Sequence, residues 1–474
     1  LLGIDRIPEV KTLRKKISIL SDQNNAEKWS GSLCKKWMEH NPSEAGVLYV
    51  DGHVRVYHGK LTKLPRHYVT RQKLCLRATV DYWVNTFDGK PFFRINEFID
   101  PGMISVLRDE IIPILEKEVP DQPSSDELES NKYLHRFTIV VDREGYSPSF
   151  FIELRKKRIA IITYHKYPDQ DWPTEEFTPY THKHENGETS EVKLAERGIF
   201  LSNKLWVREI RKLTESGHQT SLLTTDYTSD LCSVSYELFA RWCQENFFKY
   251  MRENYNIDAL IDRFTEEIPD TNLVINPEYR ELDSNVRKVN STINVKTKEF
   301  GSLLLLGDID SEEVKMYEKQ KAELQRDIEC LEKELGELKK KRKATKRHIE
   351  FKDLADDEKF EGLKTESKHL IDTIKMIAYR AETALTETVR EFITDKEDAR
   401  NFIKMLCKSS ADIYPDEEHN KLTVKLHHQT TEKQNDILKK LCSELNATET
   451  EYLGTSLRAY ALNCCLDNDR YNLT

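Results

Sequence analysis

The chain has 474 residues, of which 38% are hydrophobic and 33% charged, with 73 Lys and Arg against 82 Asp and Glu for a formal charge of −9. That length asks for two to four folded units, and the balance suits a sizeable core plus a long charged helical segment. A membrane span is excluded: the longest apolar runs, such as Leu303–Leu306, fall far short of the ~18 residues a spanning helix needs.

The nine cysteines include no C-x-x-C pair, and Cys464 and Cys465 are adjacent. Neither a zinc site nor a disulfide framework follows from that, and a reducing cytoplasm is the expected compartment. The chain starts Leu-Leu-Gly with no signal pattern, so it reads as a trimmed fragment whose preceding domain is missing. The acidic total counts only mildly against nucleic-acid binding, which follows local basic surface. Basic clusters lie at Lys11–Lys16, Arg155–Arg158 and Lys339–Arg347; each is more often a solvated helix face than a phosphate track.

In chain order, residues 1–40 read as an N-terminal helical segment, with Val10, Leu13, Ile17 and Leu20 at helical spacing. Two β-rich runs follow, Val47–Asp51 and His53–Tyr57, split by Gly52. Val80–Asn85 and Phe92–Ile95 flank Asp88-Gly89, a hairpin signal. Residues 103–118 look helical, Phe137–Val141 fits a buried strand, Ser147-Pro148 opens a helix, and Ile159–Thr163 is another strand. This order matches a ribonuclease-H-like α/β core: an antiparallel meander, then parallel strands with crossover helices.

We therefore expect that core at residues 45–262, with a β-rich insertion at about 165–222 carrying Leu205–Leu213 and Gln219–Thr225. Ser233–Ile257 reads as one helix and residues 263–310 as a linker. Residues 311–350 hold 22 charged side chains in 40 positions. There Val314, Tyr317, Lys321, Leu324, Ile328, Leu331, Leu335 and Leu338 alternate spacings of three and four, a coiled-coil seam. Residues 311–395 are read as a coiled coil or helical hairpin, with 363–392 as an intramolecular partner as plausible as a second chain. Residues 396–474 suggest a small α+β segment.

Hydrolysis or transfer of a phosphodiester needs carboxylates on rigid elements, because Mg²⁺ prefers oxygen ligands and a two-ion site must hold the attacking and leaving oxygens in line. Asp51 closes the first strand run, Asp142 closes Phe137–Val141, and Glu245 lies in the late helix. Each has a bland alternative. Asp51-Gly52 could be a hairpin turn, Asp142 a helix cap, and Glu245 a surface residue paired with Lys249. Asp81 is the understudy for Asp51, and Asp100 is a further spare carboxylate. Among rival metal ligands, His165, His182, His184, His427 and His428 read as loop histidines rather than a transition-metal site.

Val141-Asp142-Arg143-Glu144-Gly145-Tyr146 resembles the segment around the second catalytic aspartate of DDE transposases of bacterial insertion sequences. Arg241-Trp-Cys-Gln-Glu245 resembles their Y-R-E-K signature helix, in which Tyr, Arg, Glu and Lys recur at set intervals. Arg241 and Glu245 match in type and spacing, whereas Leu238 stands at the tyrosine place and Arg252 at the lysine place. The likeness spans roughly residues 45–260. It implies a DNA transposase that cuts element ends and transfers strands with two Mg²⁺ or Mn²⁺ ions, Asp51 bridging both and Asp142 and Glu245 each completing one. It further implies DNA contacts from Arg241, Lys249, Arg252 and Arg143, and a homodimer on DNA. The alternatives are a decayed or domesticated relative that binds DNA or a partner without cutting, and a ribonuclease-H-like nuclease without strand transfer.

Overall fold

The computed structural model describes residues 9–59, 62–70, 72–97, 99–183, 189–260, 265–303, 311–451 and 457–463. Two helices lead, α1 (Val10–Ser21) and α2 (Ala26–His40), the second burying Ala26, Ser30, Cys34 and Met38 along one stripe. Strand β1 (Val47–Val56) follows and runs through Gly52 without a break. The expected split there, and the hairpin alternative for Asp51-Gly52, are corrected: residues on both sides pair continuously with one neighbour, from Tyr49↔Asn85 to Val56↔Ala78.

That neighbour is β3 (Leu74–Asn85), preceded by β2 (Arg66–Val69) and joined to β4 (Pro91–Glu97) by the expected Asp88-Gly89 turn. Helices α3 (Met103–Val106) and α4 (Ile112–Glu118) flank a π-helical turn at Leu107–Ile111, and α5 (Ser125–Ser130) starts at a Ser124/Glu127 capping box. Then come β5 (Thr138–Val141), α6 (Pro148–Lys156) and β6 (Ala160–Tyr164). The insertion contributes β7 (Thr178–Lys183), β8 (Thr189–Phe200), β9 (Trp206–Leu213) and β10 (Gln219–Thr224).

Across the sheet the order is β4-β3-β1-β5-β6-β10-β9-β8-β7, with β2 on β3. β1, β5 and β6 are mutually parallel, while β3, β4 and β10 run antiparallel to their neighbours. Alternation along β1 explains why both faces are covered. Leu48 and Val50 join the larger core with α2, α4 and α6, whereas Tyr49 joins Val140, Ile162 and Leu222 on the other face. There they meet Val234 and Leu238 of α7 (Leu231–Phe239).

The single helix expected over Ser233–Ile257 is two. α7 ends in a tight turn in which the Arg241 amide donates to the Leu238 carbonyl, and α8 (Trp242–Tyr255) restarts beyond it. The short β11 (Thr265–Glu266) and β12 (Leu273–Ile275) come next.

The linker expectation for 263–310 also fails, because Pro277–Ser302 is a 26-residue helix, α9. Asn276 caps it and Pro277 takes its first position. Its sparse apolar residues Val286, Val289 and Ile293 pack on Ile328, Leu331, Leu335 and Leu338 of α10 (Ser311–Ala344). Of the expected seam residues, Ile328, Leu331, Leu335 and Leu338 pack on α9 rather than on 363–392. Ion pairs Lys296–Asp327 (2.8 Å) and Arg342–Asp283 (2.6 Å) fix the pair as an antiparallel hairpin.

After β13 (His348–Glu350), which pairs β12, and β14 (Gly362–Leu363), which pairs β11, helix α11 (Glu366–Arg390) returns to the sheet. Its Met376 and Tyr379 pack with Trp83 of β3 and Phe247 and Phe248 of α8. Beside them lies a buried ionic network. Asp81 accepts from Arg55, Arg94 and Asn96. Asp372 of α11 pairs with Lys368, with Arg94 at 3.0 Å and with Arg55 at 3.6 Å. Asp81 is therefore a structural ion-pair partner and not a spare catalytic carboxylate. The last described elements are α12 (Lys396–Lys408), β15 (Ala411–Asp416), β16 (Lys421–Leu426), α13 (Glu432–Ala447) and β17 (Arg458–Asn463), the three strands forming one small sheet.

Removing one member of a buried charge network strands the others without water. Asp372→Asn should destabilise the protein by about 3–5 kcal/mol in urea unfolding. Asp283→Asn, in the more open hairpin pair, should cost about 0–1 kcal/mol. Equal losses would mean that α11 is not anchored by the network.

Candidate active site

The site follows from strand register. The parallel pairing of β1 with β5 runs from Val47↔Thr138 to Val50↔Val141, so Asp51 and Asp142 are the next residues at the same ends of adjacent strands. Asp51 remains within β1, its side chain 18% exposed, and Oδ1 accepts from the Gly52 amide at 2.9 Å. Asp142 leaves the sheet as the cap of a 3-10 turn, Oδ1 accepting from the Glu144 amide at 2.7 Å. Asp142 thus caps this turn and not the following helix, whose cap is Ser147, and that place is compatible with the site.

Two contacts hold that turn. The Thr163 hydroxyl of β6 donates to the Asp142 carbonyl at 2.8 Å. Gly145 folds back so closely that a Cβ would meet Val141 Cγ2 at 2.4 Å. A side chain at 145 would displace the turn that carries Asp142.

Arg241 enters from the other side of the sheet edge, at the break between α7 and α8. Its Nη1 lies 3.4 Å from Asp51 Oδ2 and its Nη2 3.4 Å from Glu245 Oε1. Both contacts are long for charge-assisted hydrogen bonds, so the guanidinium is loosely held. Glu245, one turn into α8 and 69% exposed, thus pairs with Arg241 rather than with Lys249. Leu238, at the signature's tyrosine place, is buried in the core, while Tyr236 packs against Phe87 with tilted rings. Lys249 is exposed farther along α8 and Arg252 half-buried. Among the described residues neither bonds to Asp51, Asp142 or Glu245.

Sequence reasoning missed Tyr164. At the end of β6, its ring lies 5.8 Å from the Arg143 guanidinium and 6.0 Å from that of Arg241. The signal was present, an aromatic residue closing an apolar strand that ends beside Asp142, but nothing local distinguished it from a core tyrosine. Of the rival histidines, His165 and His427 have other partners. His165 faces Glu209 at 3.5 Å, and His427 pairs with Asp412 at 3.1 Å. His184 and the side chain of His182 lie outside the described residues.

The electrostatics are set by acids at neighbouring strand ends with one guanidinium between them. Burial pushes the Asp51 carboxyl up to about 7, with Arg241 opposing and Asp142 adding to the rise. Burial works against the Arg241 charge, yet the Asp51 and Asp142 carboxylates outweigh it and raise the guanidinium further. Two oxygen-only donors side by side suit a hard divalent cation. Among the described residues, however, no group of three or more His, Cys, Asp or Glu is disposed around one metal position. Glu245 is instead tied to Asp51 through Arg241.

These facts set a pH signature. The folded-state value of Asp51 lies above its unfolded one, so protonation favours the fold and stability is lost as pH rises from about 4 through about 7. Asp51→Asn removes the titration. Its gain in melting temperature over the parent should widen between pH 4 and 7 and stay constant above, as read by thermal unfolding at stepped pH. A gap independent of pH would contradict the assignment.

The profile of a family described as "Transposase protein" matches residues 1–464. No curated protein matches the chain. Among the described residues no helix is long and apolar enough to cross a membrane.

Proposed function

The chain belongs to this transposase family, and within it we propose that the protein is a DDE enzyme on a ribonuclease-H-like core, cutting and joining DNA with Asp51, Asp142 and Glu245. The observation that carries this reading is the register of β1 on β5, which sets two carboxylates at neighbouring strand ends with the Arg241–Glu245 helix beside them. The order β4-β3-β1-β5-β6, antiparallel and then parallel, supports the same core.

In this reading Asp51, Asp142 and Glu245 would hold divalent cations, Mg²⁺ or Mn²⁺. Such ions, when bound, lower the pKa of water and neutralise charge developing on phosphorus. The residues of the chain do the rest. A DNA phosphate offers Arg241 a bidentate acceptor better than its two contacts at 3.4 Å. Moving onto that phosphate, Arg241 releases Asp51 and Glu245 together, so substrate arrival frees the carboxylates. Tyr164 limits how far Arg143 and Arg241 can swing.

The reaction needs no covalent protein intermediate. Hydrolysis breaks a P–O3′ bond and leaves a 3′-hydroxyl and a 5′-phosphate. The hydroxyl then attacks a second phosphodiester, passing its proton to solvent and expelling that bond's 3′ oxygen. Lys249, Arg252 and Arg143 follow the backbone of the DNA, and two subunits act on paired ends.

A second reading, a relative that binds DNA without cutting, is favoured by the exposure of Glu245 and its tie to Arg241. Plasmid nicking with Mg²⁺ or Mn²⁺ separates the two. Asp142→Ala and Glu245→Gln should each lower nicking on the order of 10²–10³-fold, as loss of a group stabilising the transition state does. Nicking equal to the parent in both variants would sink the proposal. Products joined to target DNA distinguish transfer from simple hydrolysis.

A further inference from the structure

At the opposite end of the sheet from Asp51 and Asp142 lies a second surface with a different chemistry. Phe200 ends β8, Trp206 begins β9, and the two face each other in register. Phe200 is 73% exposed, Trp206 41%, and nearby Tyr133, in the loop that enters β5, 48%. Large apolar side chains so exposed and so close together are not left to solvent without reason.

The Trp206 and Tyr133 rings are held by their neighbours. The Trp206 indole lies so close over Gly198 that a Cβ there would fall 2.4 Å from the ring. Tyr227 stacks on Trp206 at 5.5 Å between centroids, and its hydroxyl donates to the Trp206 carbonyl at 2.8 Å. Tyr133 meets Tyr227 edge-on at 5.9 Å. The hairpin between β8 and β9 is itself fastened, with Leu201 and Leu205 in the main core and Asn203 donating to the Pro148 carbonyl at 2.6 Å.

Cations edge the rings. The Arg155 guanidinium sits 5.7 Å from the centre of Tyr227 and the Lys132 ammonium 4.9 Å from that of Tyr133. Among the described residues neither has an acidic partner. The neighbouring acids are engaged: Glu196 pairs with Arg208 at 2.5 Å, and Asp226 accepts from the Thr228 and Ser229 amides. Rigid exposed rings flanked by free cations complement one kind of polymer, with flat bases to stack and phosphates to pair.

We infer that the Phe200–Trp206–Tyr133 surface binds unpaired single-stranded DNA, the bases stacking on the rings and the phosphates meeting Arg155 and Lys132. Duplex DNA offers the cations its backbone but keeps its bases from the rings. The patch lies beyond the four-residue β5 from the active site, roughly 15 Å or more at 3.3 Å per residue. It is thus separate from the carboxylates and from the DDE reading.

The experiment is fluorescence anisotropy with the full chain in EDTA, comparing a labelled oligo(dT), a mixed-sequence duplex, and an abasic oligomer of equal length. Phe200→Ala, Tyr133→Ala and Arg155→Glu are made at exposed positions, with thermal unfolding to confirm the fold. Each ring variant should weaken oligo(dT) binding about 10-fold, within the range of one lost base stack. Duplex binding should change less than about 2-fold in the ring variants, and the abasic oligomer should be indifferent to them. The assay is run in EDTA, without the divalent ions that cutting would need, so its outcome does not depend on whether the protein cuts. Ring variants that bind oligo(dT) unchanged, or that lose the duplex equally, would overturn the inference; the first result would assign the patch to a protein partner.

Discussion

The structure depends on charges that have been taken out of water and must answer one another. Arg55, Asp81 and Arg94 lie on three neighbouring strands, and α11 brings Asp372 and Lys368 to meet them. Burial depresses the Lys368 ammonium to about 7, with Asp372 opposing. A network of this kind specifies placement more than it adds stability, since each member is costly until all are present. Seated there, α11 presses Met376 and Tyr379 against Trp83, Phe247 and Phe248. Those two phenylalanines belong to α8, whose first turn carries Glu245. The position of Glu245 is thus set by a helix more than a hundred residues farther along the chain.

What was legible in the sequence follows from how local each signal is. Val47–Val50, Phe137–Val141 and Ile159–Thr163 are compact apolar runs, and the parallel strands appeared where those runs do. The carboxylates at their ends could be placed for the same reason. Gly52 misled because glycine more often marks a turn than the middle of a strand, whereas here both flanks share one partner strand. β7 and β8 escaped because the insertion is a hairpin sheet whose strands carry charges on the exposed face, as at Glu191, Lys193 and Arg197. α9 escaped because a two-helix contact needs few apolar residues, and Val286, Val289 and Ile293 are too sparse to announce one. Nothing in the sequence joined Asp372 to Asp81, because ion pairs across that distance leave no periodicity.

At the site, Arg241 acts as an internal counter-ion. Without it Asp51 would face Asp142 across adjacent strand ends with only the Gly52 amide in support. Sequence spacing put Arg241 and Glu245 on one face, but only the helix break explains why the guanidinium turns back to Asp51. On a straight helix an arginine would project from the face that the helix's rotation assigns it. At a restart its backbone can face the strand ends while its side chain still reaches the next turn.

The sequence separation of the ionic network also governs the order in which the protein can be finished on the ribosome. Asp81 is synthesised roughly 290 residues before Asp372, an interval of about 15–60 s at translation speeds of 5–20 residues per second. Throughout it, Arg55 and Arg94 outnumber Asp81, and the face that α11 will cover stays wet. The growing polypeptide therefore holds Asp51, Asp142 and Glu245 in an unfinished frame until α11 has been made.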